Sequence, residues 1–107
     1  MKIVVCKDYE EVSRVMAEKV VRLIQEKPNL VFCLPAGNSP IGMYRYLVKM
    51  YEEGKVDFSQ IRTFDMDEYA GLAPDDPHSF ISCISILWIM STSIWKTSII
   101  PKPTLWI

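Results

Sequence analysis

Two short stretches of the sequence carry side chains whose types and spacing could perform chemistry. The first, residues 34–40, reads Leu-Pro-Ala-Gly-Asn-Ser-Pro and lies between an apolar run and a helical pattern. The amides of such a loop and of a helix amino terminus point outward and suit a phosphate group. Gly37 lets the backbone approach a ligand, Asn38 tolerates a left-handed conformation, and Ser39 can cap the helix or donate to a phosphate oxygen. Alone the loop is a weak signal, because most loops of this composition are only turns.

The second stretch is an acidic cluster, residues 63–69, which reads Thr-Phe-Asp-Met-Asp-Glu-Tyr. Crowded carboxylates raise one another's pKa, which suits a general base that removes a proton from carbon. The alternative is a solvated acidic turn in which one acid caps a helix. His78 is the only histidine and has no spaced partner, so we expect it to be a capping or surface residue.

Alternating strand and helix patterns must position these stretches. Residues 2–6 are rich in β-branched side chains and predict a first strand. Asp8, with Glu11 three positions on, predicts a capped helix that ends near Pro28. The apolar stripe of that helix repeats at helical spacing and consists of Val12, Met16, Val20, Leu23 and Ile24.

The continuous apolar run at residues 30–34 predicts a second strand that is covered on both faces. Met43, Leu47 and Met50 mark a second helix closed by Gly54, residues 61–66 predict a third strand, and residues 67–77 a polar loop. The order β-α-β-α-β predicts an α/β fold with a parallel sheet and right-handed crossovers. Both chemical stretches would then lie at the carboxyl edge of the sheet.

Composition narrows the function classes. A length of 107 residues fits one small domain, and a net charge of −1 argues against partners such as nucleic acid or an anionic membrane. Three cysteines without a repeated spacing argue against a disulfide framework and a metal site. Cys6 and Cys33 lie in apolar runs, which predicts buried free thiols in a reducing compartment. Early charges leave no signal peptide, so we expect a cytoplasmic protein.

The two stretches in combination resemble the glucosamine-6-phosphate deaminase family, within the superfamily that also contains the 6-phosphogluconolactonases. The family pattern is a Leu-Pro-x-Gly-x-Ser/Thr-Pro loop after the second strand and Phe-x-Met-Asp-Glu-Tyr after the third. The resemblance covers residues 1–80 and includes the connecting Asp57-Phe58-Ser59 and the Gly71-Leu72 that follows Tyr69. It implies an incomplete Rossmann-like parallel-sheet domain.

The resemblance also implies roles for single residues. Gly37, Asn38 and Ser39 would bind the sugar phosphate, and Asp67 would move a proton between C-1 and C-2 of the opened sugar, with Glu68 and Tyr69 as support. The implied reaction is an aldose-ketose isomerisation with deamination, which converts glucosamine 6-phosphate and water to fructose 6-phosphate and ammonia in amino-sugar catabolism. It requires no redox cofactor.

Three positions depart from the family pattern. Ala36 stands where many members have Thr, Asn38 where Gly is common, and Asp65 where Asn is common. Asp65 places another acid two residues before Asp67 and could raise its pKa. A lactonase-like substrate stays an alternative, although the Met-Asp-Glu-Tyr string favours the deaminase.

The composition changes sharply after Phe80. Of the 25 Lys, Arg, Asp and Glu residues, 23 precede position 81, whereas all three tryptophans and eight isoleucines lie within residues 81–107. Its many Ser and Thr residues make this tail a poor membrane span. In a shifted reading frame, the junction after Trp88 must encode Asp and the junction after Trp95 must encode Glu. Those acids fall where the family's next segment has them, so we interpret residues 81–107 as a frameshift product; the alternative is a genuine apolar segment.

This interpretation has functional consequences. Family members are more than twice as long, and their later part supplies the histidine and carboxylates for ring opening and ammonia release. We therefore expect the 107-residue chain to turn over little or nothing by itself, which leaves a sugar-phosphate-binding remnant or a structural fragment as alternatives. An incomplete parallel sheet exposes an edge, and that edge would favour association into a homo-oligomer.

Overall fold

Two helices and a two-stranded parallel sheet form the described part of the chain. The computed structural model describes residues 1–66, 69, 71–73 and 76–79. Along the chain these residues form α1 (Tyr9–Glu26), β1 (Val31–Leu34), α2 (Ile41–Glu52) and β2 (Arg62–Asp65). The predicted α/β class is confirmed, with α2 as the crossover between parallel strands. The predicted base Asp67, its neighbour Glu68 and the tail at 81–107 lie outside the described residues.

The predicted first strand is wrong. Residues 2–6 carry no strand assignment, and Ile3 and Val5 are 74% and 90% exposed. Their β-branched composition favours extended backbone, but a strand also needs a neighbour to pair with. The sheet of the described residues contains only β1 and β2. The observed order is therefore α-β-α-β.

The start of α1 follows the predicted cap. Asp8 is the N-cap residue, and its carboxylate accepts a hydrogen bond from the amide of Glu11 at 2.9 Å. The Glu11 carboxylate reaches back to the amide of Lys7 at 2.7 Å, one residue before the N-cap. These bonds satisfy amides that a helix amino terminus otherwise leaves without a partner. Local sequence thus fixes where α1 begins.

The buried face of α1 differs from the predicted stripe. Val20 and Ile24 are buried as expected, but Val12 and Met16 are 46% and 48% exposed. Ser13 and Ala17 take the buried positions instead. Small side chains allow α1 to approach α2 closely, and this close approach decides which side of the helix faces inward.

The sheet is covered on one face within the described residues. In the sheet, Phe32 pairs with Thr63 and Leu34 pairs with Asp65. Leu34 is part of the helical core, and Phe32 packs against that core. The opposite face carries Val31 and Phe64, which are 57% and 41% exposed. The core consists of Ala17, Val20, Val21, Ile24, Leu34, Met43, Tyr44, Leu47, Val56, Phe58 and Ile61. The prediction that this strand is covered on both faces holds for one face only.

Gly54 ends α2 as predicted. Its φ of +74° lies in the left-handed region, which glycine adopts without steric cost. The amide of Gly54 bonds to the carbonyl of Tyr51, and the amide of Lys55 bonds to that of Met50, both at 2.9 Å. This pair of bonds is the Schellman arrangement. No helix in the described part of the chain is long and apolar enough to cross a membrane.

Candidate functional site

The loop between β1 and α2 is anchored at both ends. Leu34 and Pro40 are buried, and the fully buried Tyr44 donates its hydroxyl to the carbonyl oxygen of Pro35. Between these anchors Gly37 has a φ of +92°, a conformation that residues with a Cβ rarely adopt. The glycine is therefore required by the backbone path. The sequence analysis expected Asn38 to tolerate a left-handed conformation, but Asn38 does not have a positive φ, and Gly37 provides this conformation instead.

Several amides of the loop, and the side chain of Ser39, make no capping or main-chain hydrogen bond among the described residues. The N-cap position of α2 is Pro40, and no side chain caps this helix, so Ser39 does not perform the capping role that was one of its two expected roles. Asn38 and Ser39 are both exposed. Among the described residues, no acceptor meets the amides of Gly37, Asn38 and Ser39. Free amides and a hydroxyl beside a helix amino terminus can bind an anion.

A tyrosine from α1 contacts the same loop. The hydroxyl of Tyr9 accepts a hydrogen bond from the amide of Gly42 at 2.9 Å. The same oxygen lies 3.2 Å from the carbonyl oxygens of Asn38 and Ser39, to which it can donate. Tyr9 thus joins the first turn of α1 to the loop and to the first turn of α2.

Gly42 makes this approach of the helices possible. A Cβ built on Gly42 would collide with the Ser13 hydroxyl and would lie 2.9 Å from the Ser13 Cβ and 3.0 Å from Cε1 of Tyr9. Any side chain at position 42 would therefore push α1 away from the loop.

The sheet register places the start of the acidic stretch beside the start of the loop between β1 and α2. Leu34 and Asp65 are the last paired residues, and the amide of Met66 donates to the carbonyl of Leu34 at 3.3 Å. The two chain segments therefore leave the same edge of the sheet side by side. The positions of Asp67 and Glu68 lie outside the described residues, so their roles stay predictions.

A shallow groove borders the loop on its α1 side. Its volume is about 270 Å³. Apolar side chains dominate its lining, and Ser13 and Ser39 contribute hydroxyls at its wall. The apolar lining consists of Val12, Met16, Pro35, Ala36, Pro40 and Met43.

His78 is the surface residue that the sequence predicted. Its ring Nδ1 lies 3.1 Å from Oδ1 of Asp76, and its side chain is 83% exposed. The amide of His78 also donates to Asp76 at 2.8 Å. The backbone hydrogen bond, followed by that of the ring, holds the pKa of the Asp76 carboxyl below its usual value. This pair closes a local turn.

The described residues offer few other reactive groups. They contain no cluster of three or more His, Cys, Asp or Glu side chains that could hold a metal ion. Cys6 and Cys33 are free thiols and are partly buried, whereas the sequence predicted burial.

Sequence reasoning missed three residues that shape the site: Tyr9, Gly42 and Tyr44. A glycine inside a helical pattern usually has a packing reason, so Gly42 carried a signal. The two tyrosines carried none, because their partners are loop carbonyls whose positions depend on the tertiary fold.

Comparison with known proteins shows that the chain is similar to glucosamine-6-phosphate deaminases. No family model matches it. A glucosamine-6-phosphate deaminase of Thermoanaerobacter sp. (strain X514) is 49% identical over 80 residues, which cover 75% of this chain and 32% of the relative. The glucosamine-6-phosphate deaminase of Clostridium perfringens (strain SM101 / Type A) is 41% identical over 80 residues, 75% of this chain and 33% of the relative.

A solved structure agrees with these relatives. It is a monomeric glucosamine-6-phosphate deaminase described as the missing link of the NagB superfamily, and it matches with a TM-score of 0.83 and 33% identity. The match covers 100% of this chain and 45% of the solved one. The chain spans about a third of the length of the curated relatives it matches.

Proposed function

Since the chain is homologous over 80 residues to glucosamine-6-phosphate deaminases and shares the NagB fold, we propose that it carries the sugar-phosphate-binding part of such an enzyme. Gly37, Asn38 and Ser39 bind the phosphate of glucosamine 6-phosphate through amides and a hydroxyl. Asp67 is the proton acceptor, and Glu68 supports its loop. The overall reaction consumes one water and yields fructose 6-phosphate and ammonia.

The observation that supports this proposal is the hydrogen bond between the Met66 amide and the Leu34 carbonyl. It sets the start of the acidic stretch beside the start of the phosphate loop. In this proposal, a ligand whose phosphate rests on the loop extends its carbon chain along this edge of the sheet. Asp67 follows the end of β2 by two residues and would meet that carbon chain.

The proposed chemistry needs a base near the opened sugar. A carboxylate removes the proton from C-2 and delivers it to C-1 while a proton passes from the amino group to the C-1 oxygen, which converts the amino aldose to a C-2 imine. Water adds to C-2 of the imine and ammonia leaves, which yields the ketose. Asp65 precedes Asp67 by two residues, and a second carboxylate nearby raises the pKa of such a base toward the working range.

The remaining assignments follow from the same proposal. The partner is a small sugar phosphate rather than nucleic acid or a membrane, the compartment is the cytoplasm, and the exposed Val31 and Phe64 on the open sheet face favour a homo-oligomer. A lactonase-like activity on a related sugar phosphate is the outcome that would reassign the substrate.

Calorimetric titration of the 107-residue chain with glucosamine 6-phosphate, glucosamine and inorganic phosphate tests the binding proposal. We expect glucosamine 6-phosphate and inorganic phosphate to bind, and we expect glucosamine to produce no heat of binding. Equal binding of glucosamine and its phosphate would contradict the assignment of the loop.

A coupled assay for ammonia release tests turnover separately. We expect the 107-residue chain to release little or no ammonia. Release that Asp67→Asn abolishes would contradict that expectation and would support Asp67 as the base. Hydrolysis of a 6-phosphogluconolactone without ammonia release would favour the lactonase alternative.

A further inference from the structure

We propose that Tyr9 is a positioning residue for the phosphate loop, an inference that rests on the proposed phosphate-binding function. Its hydroxyl fixes the carbonyl groups of Asn38 and Ser39, so that the Ser39 amide faces the ligand. Tyr9 itself contacts no ligand in this proposal.

The hydroxyl of Tyr9 has both a donor role and an acceptor role. Its oxygen accepts from the Gly42 amide at 2.9 Å, and its single proton is shared between the Asn38 and Ser39 carbonyls, each 3.2 Å away. All partners are main-chain atoms that lie about thirty residues further along the chain. A phenylalanine ring would keep the packing but would lose every one of these bonds.

Peptide planarity converts these bonds into a direction for the loop amides. In a trans peptide the C=O and the following N–H point in opposite directions. The Asn38 carbonyl points at Tyr9, so the Ser39 amide points away from α1. The Ser39 carbonyl also points at Tyr9, and the residue after it is Pro40, which has no N–H.

The same geometry defines which amides remain for the ligand. The Gly42 amide is already bonded to Tyr9, although an amide in the first turn of a helix is a common anion ligand. The phosphate would therefore use the amides of Gly37, Asn38 and Ser39 rather than that of Gly42. Loss of the Tyr9 hydroxyl would free the Gly42 amide and the Ser39 carbonyl, whereas the Asn38 carbonyl would keep the hydrogen bond from the Ile41 amide at 3.3 Å.

Tyr46 provides a matched control. It also carries a hydroxyl at the contact between α1 and α2, but that hydroxyl donates to Oε1 of Glu10 at 3.1 Å, an exposed side chain. Tyr46→Phe removes a tyrosine hydroxyl, as Tyr9→Phe does, but that hydroxyl makes no hydrogen bond to a loop carbonyl. The comparison separates loop positioning from a general effect on helix packing.

The test is a nuclear magnetic resonance titration of the ¹⁵N-labelled 107-residue chain with inorganic phosphate and with glucosamine 6-phosphate. Without ligand, Tyr9→Phe is expected to shift the amide signals of residues 37–39 and of Gly42, and Tyr46→Phe is expected to leave them in place. With ligand, Tyr9→Phe is expected to weaken binding about three- to tenfold, the loss of one ordinary hydrogen bond. Tyr46→Phe should melt close to the unmodified chain, and Tyr9→Phe should melt lower because the part-buried Gly42 amide loses its acceptor.

Each contrary result has its own meaning. Unchanged amide signals in ligand-free Tyr9→Phe would overturn the positioning role whether or not phosphate binds. If Tyr9→Phe and Tyr46→Phe weakened phosphate binding equally, the effect would come from stability, and the proposal would be overturned. If Tyr9→Phe bound phosphate more tightly than the unmodified chain, the Gly42 amide would be a ligand, which would also overturn the proposal. Failure of the unmodified chain to bind phosphate would refute the proposed function instead, while the ligand-free spectra would still decide the role of Tyr9.

Discussion

Ser13 of α1 and Gly42 of α2 touch so closely that no side chain fits between them. A Cβ on Gly42 would lie 2.9 Å from the Ser13 Cβ, closer than real Cβ atoms approach one another. This contact sets the distance between the helices and brings Tyr9 within reach of the loop between β1 and α2.

Gly42→Ala is therefore expected to destabilise the fold, although alanine is normally the better helix former. Overpacking costs about 1–3 kcal/mol, and the gain in helix propensity returns up to about 1 kcal/mol. We expect the free energy of unfolding in urea to fall by roughly 1–2 kcal/mol.

The double variant Ser13→Gly with Gly42→Ala is the control for that prediction. Removal of the Ser13 side chain makes room for the new methyl group, so the two changes should couple favourably in a double-mutant cycle. Additive losses, or a Gly42→Ala chain more stable than the original, would show that the contact does not limit the helix separation.

Gly37→Ala and Gly54→Ala form a matched pair at the two glycines that flank α2. Their φ angles are +92° and +74°, and an added Cβ meets no atom within 4 Å at either position. Each change should cost about 1 kcal/mol of stability through backbone strain alone. Only Gly37→Ala should also abolish phosphate binding in a calorimetric titration, and equal binding by the two variants would contradict the role of the loop.

Ser39→Ala should weaken phosphate binding about tenfold or more, because the hydroxyl donates to a charged oxygen. Stability should not change, since Ser39 forms no cap of α2. Ser59→Ala is the converse control, because the Ser59 hydroxyl donates to Asp57 at 2.9 Å, far from the loop in sequence. We expect Ser59→Ala to lower the urea midpoint and to leave binding intact; the opposite pattern would refute both assignments.

Asp57 should make the stability depend on pH in acid. The amide of Ser59, and then its hydroxyl, hold the pKa of the Asp57 carboxyl below its ordinary value of 3.8. The unfolded chain then binds the proton more readily, so stability rises with pH through this range. The contribution is present above the ordinary value and is lost as the pH falls through the lower folded value.

Urea unfolding of the original chain and of Asp57→Asn between about pH 2 and pH 5 measures this contribution. We expect the gap between the two chains to narrow as the pH falls. A gap that widens toward acid would mean that folding raises the pKa of Asp57.

The origin of residues 81–107 can be tested on the gene. We propose a shifted reading frame after Phe80, and the 80-residue length of the matches to curated relatives supports that position. Sequencing across codons 78–90 and downstream should reveal a deaminase pattern that continues in the shifted frame. An uninterrupted frame in independent isolates would establish the apolar segment as genuine.

The sequence by itself determined the features that depend on neighbours along the chain. The Asp8 cap fixes the start of α1, and Gly54 fixes the end of α2. Each of these depends on hydrogen bonds or backbone angles within a few residues, so composition and spacing were sufficient.

The tertiary structure alone decided the features that depend on distant partners. Residues 2–6 have the composition of a strand but no pairing partner in the described sheet, and α1 buries Ser13 and Ala17 instead of Val12 and Met16. Tyr9 reaches the loop between β1 and α2 only because the Ser13 and Gly42 contact brings its hydroxyl to residues some thirty positions away. Periodicity identifies an apolar stripe, but the shape of the neighbouring helix determines which side of α1 is buried.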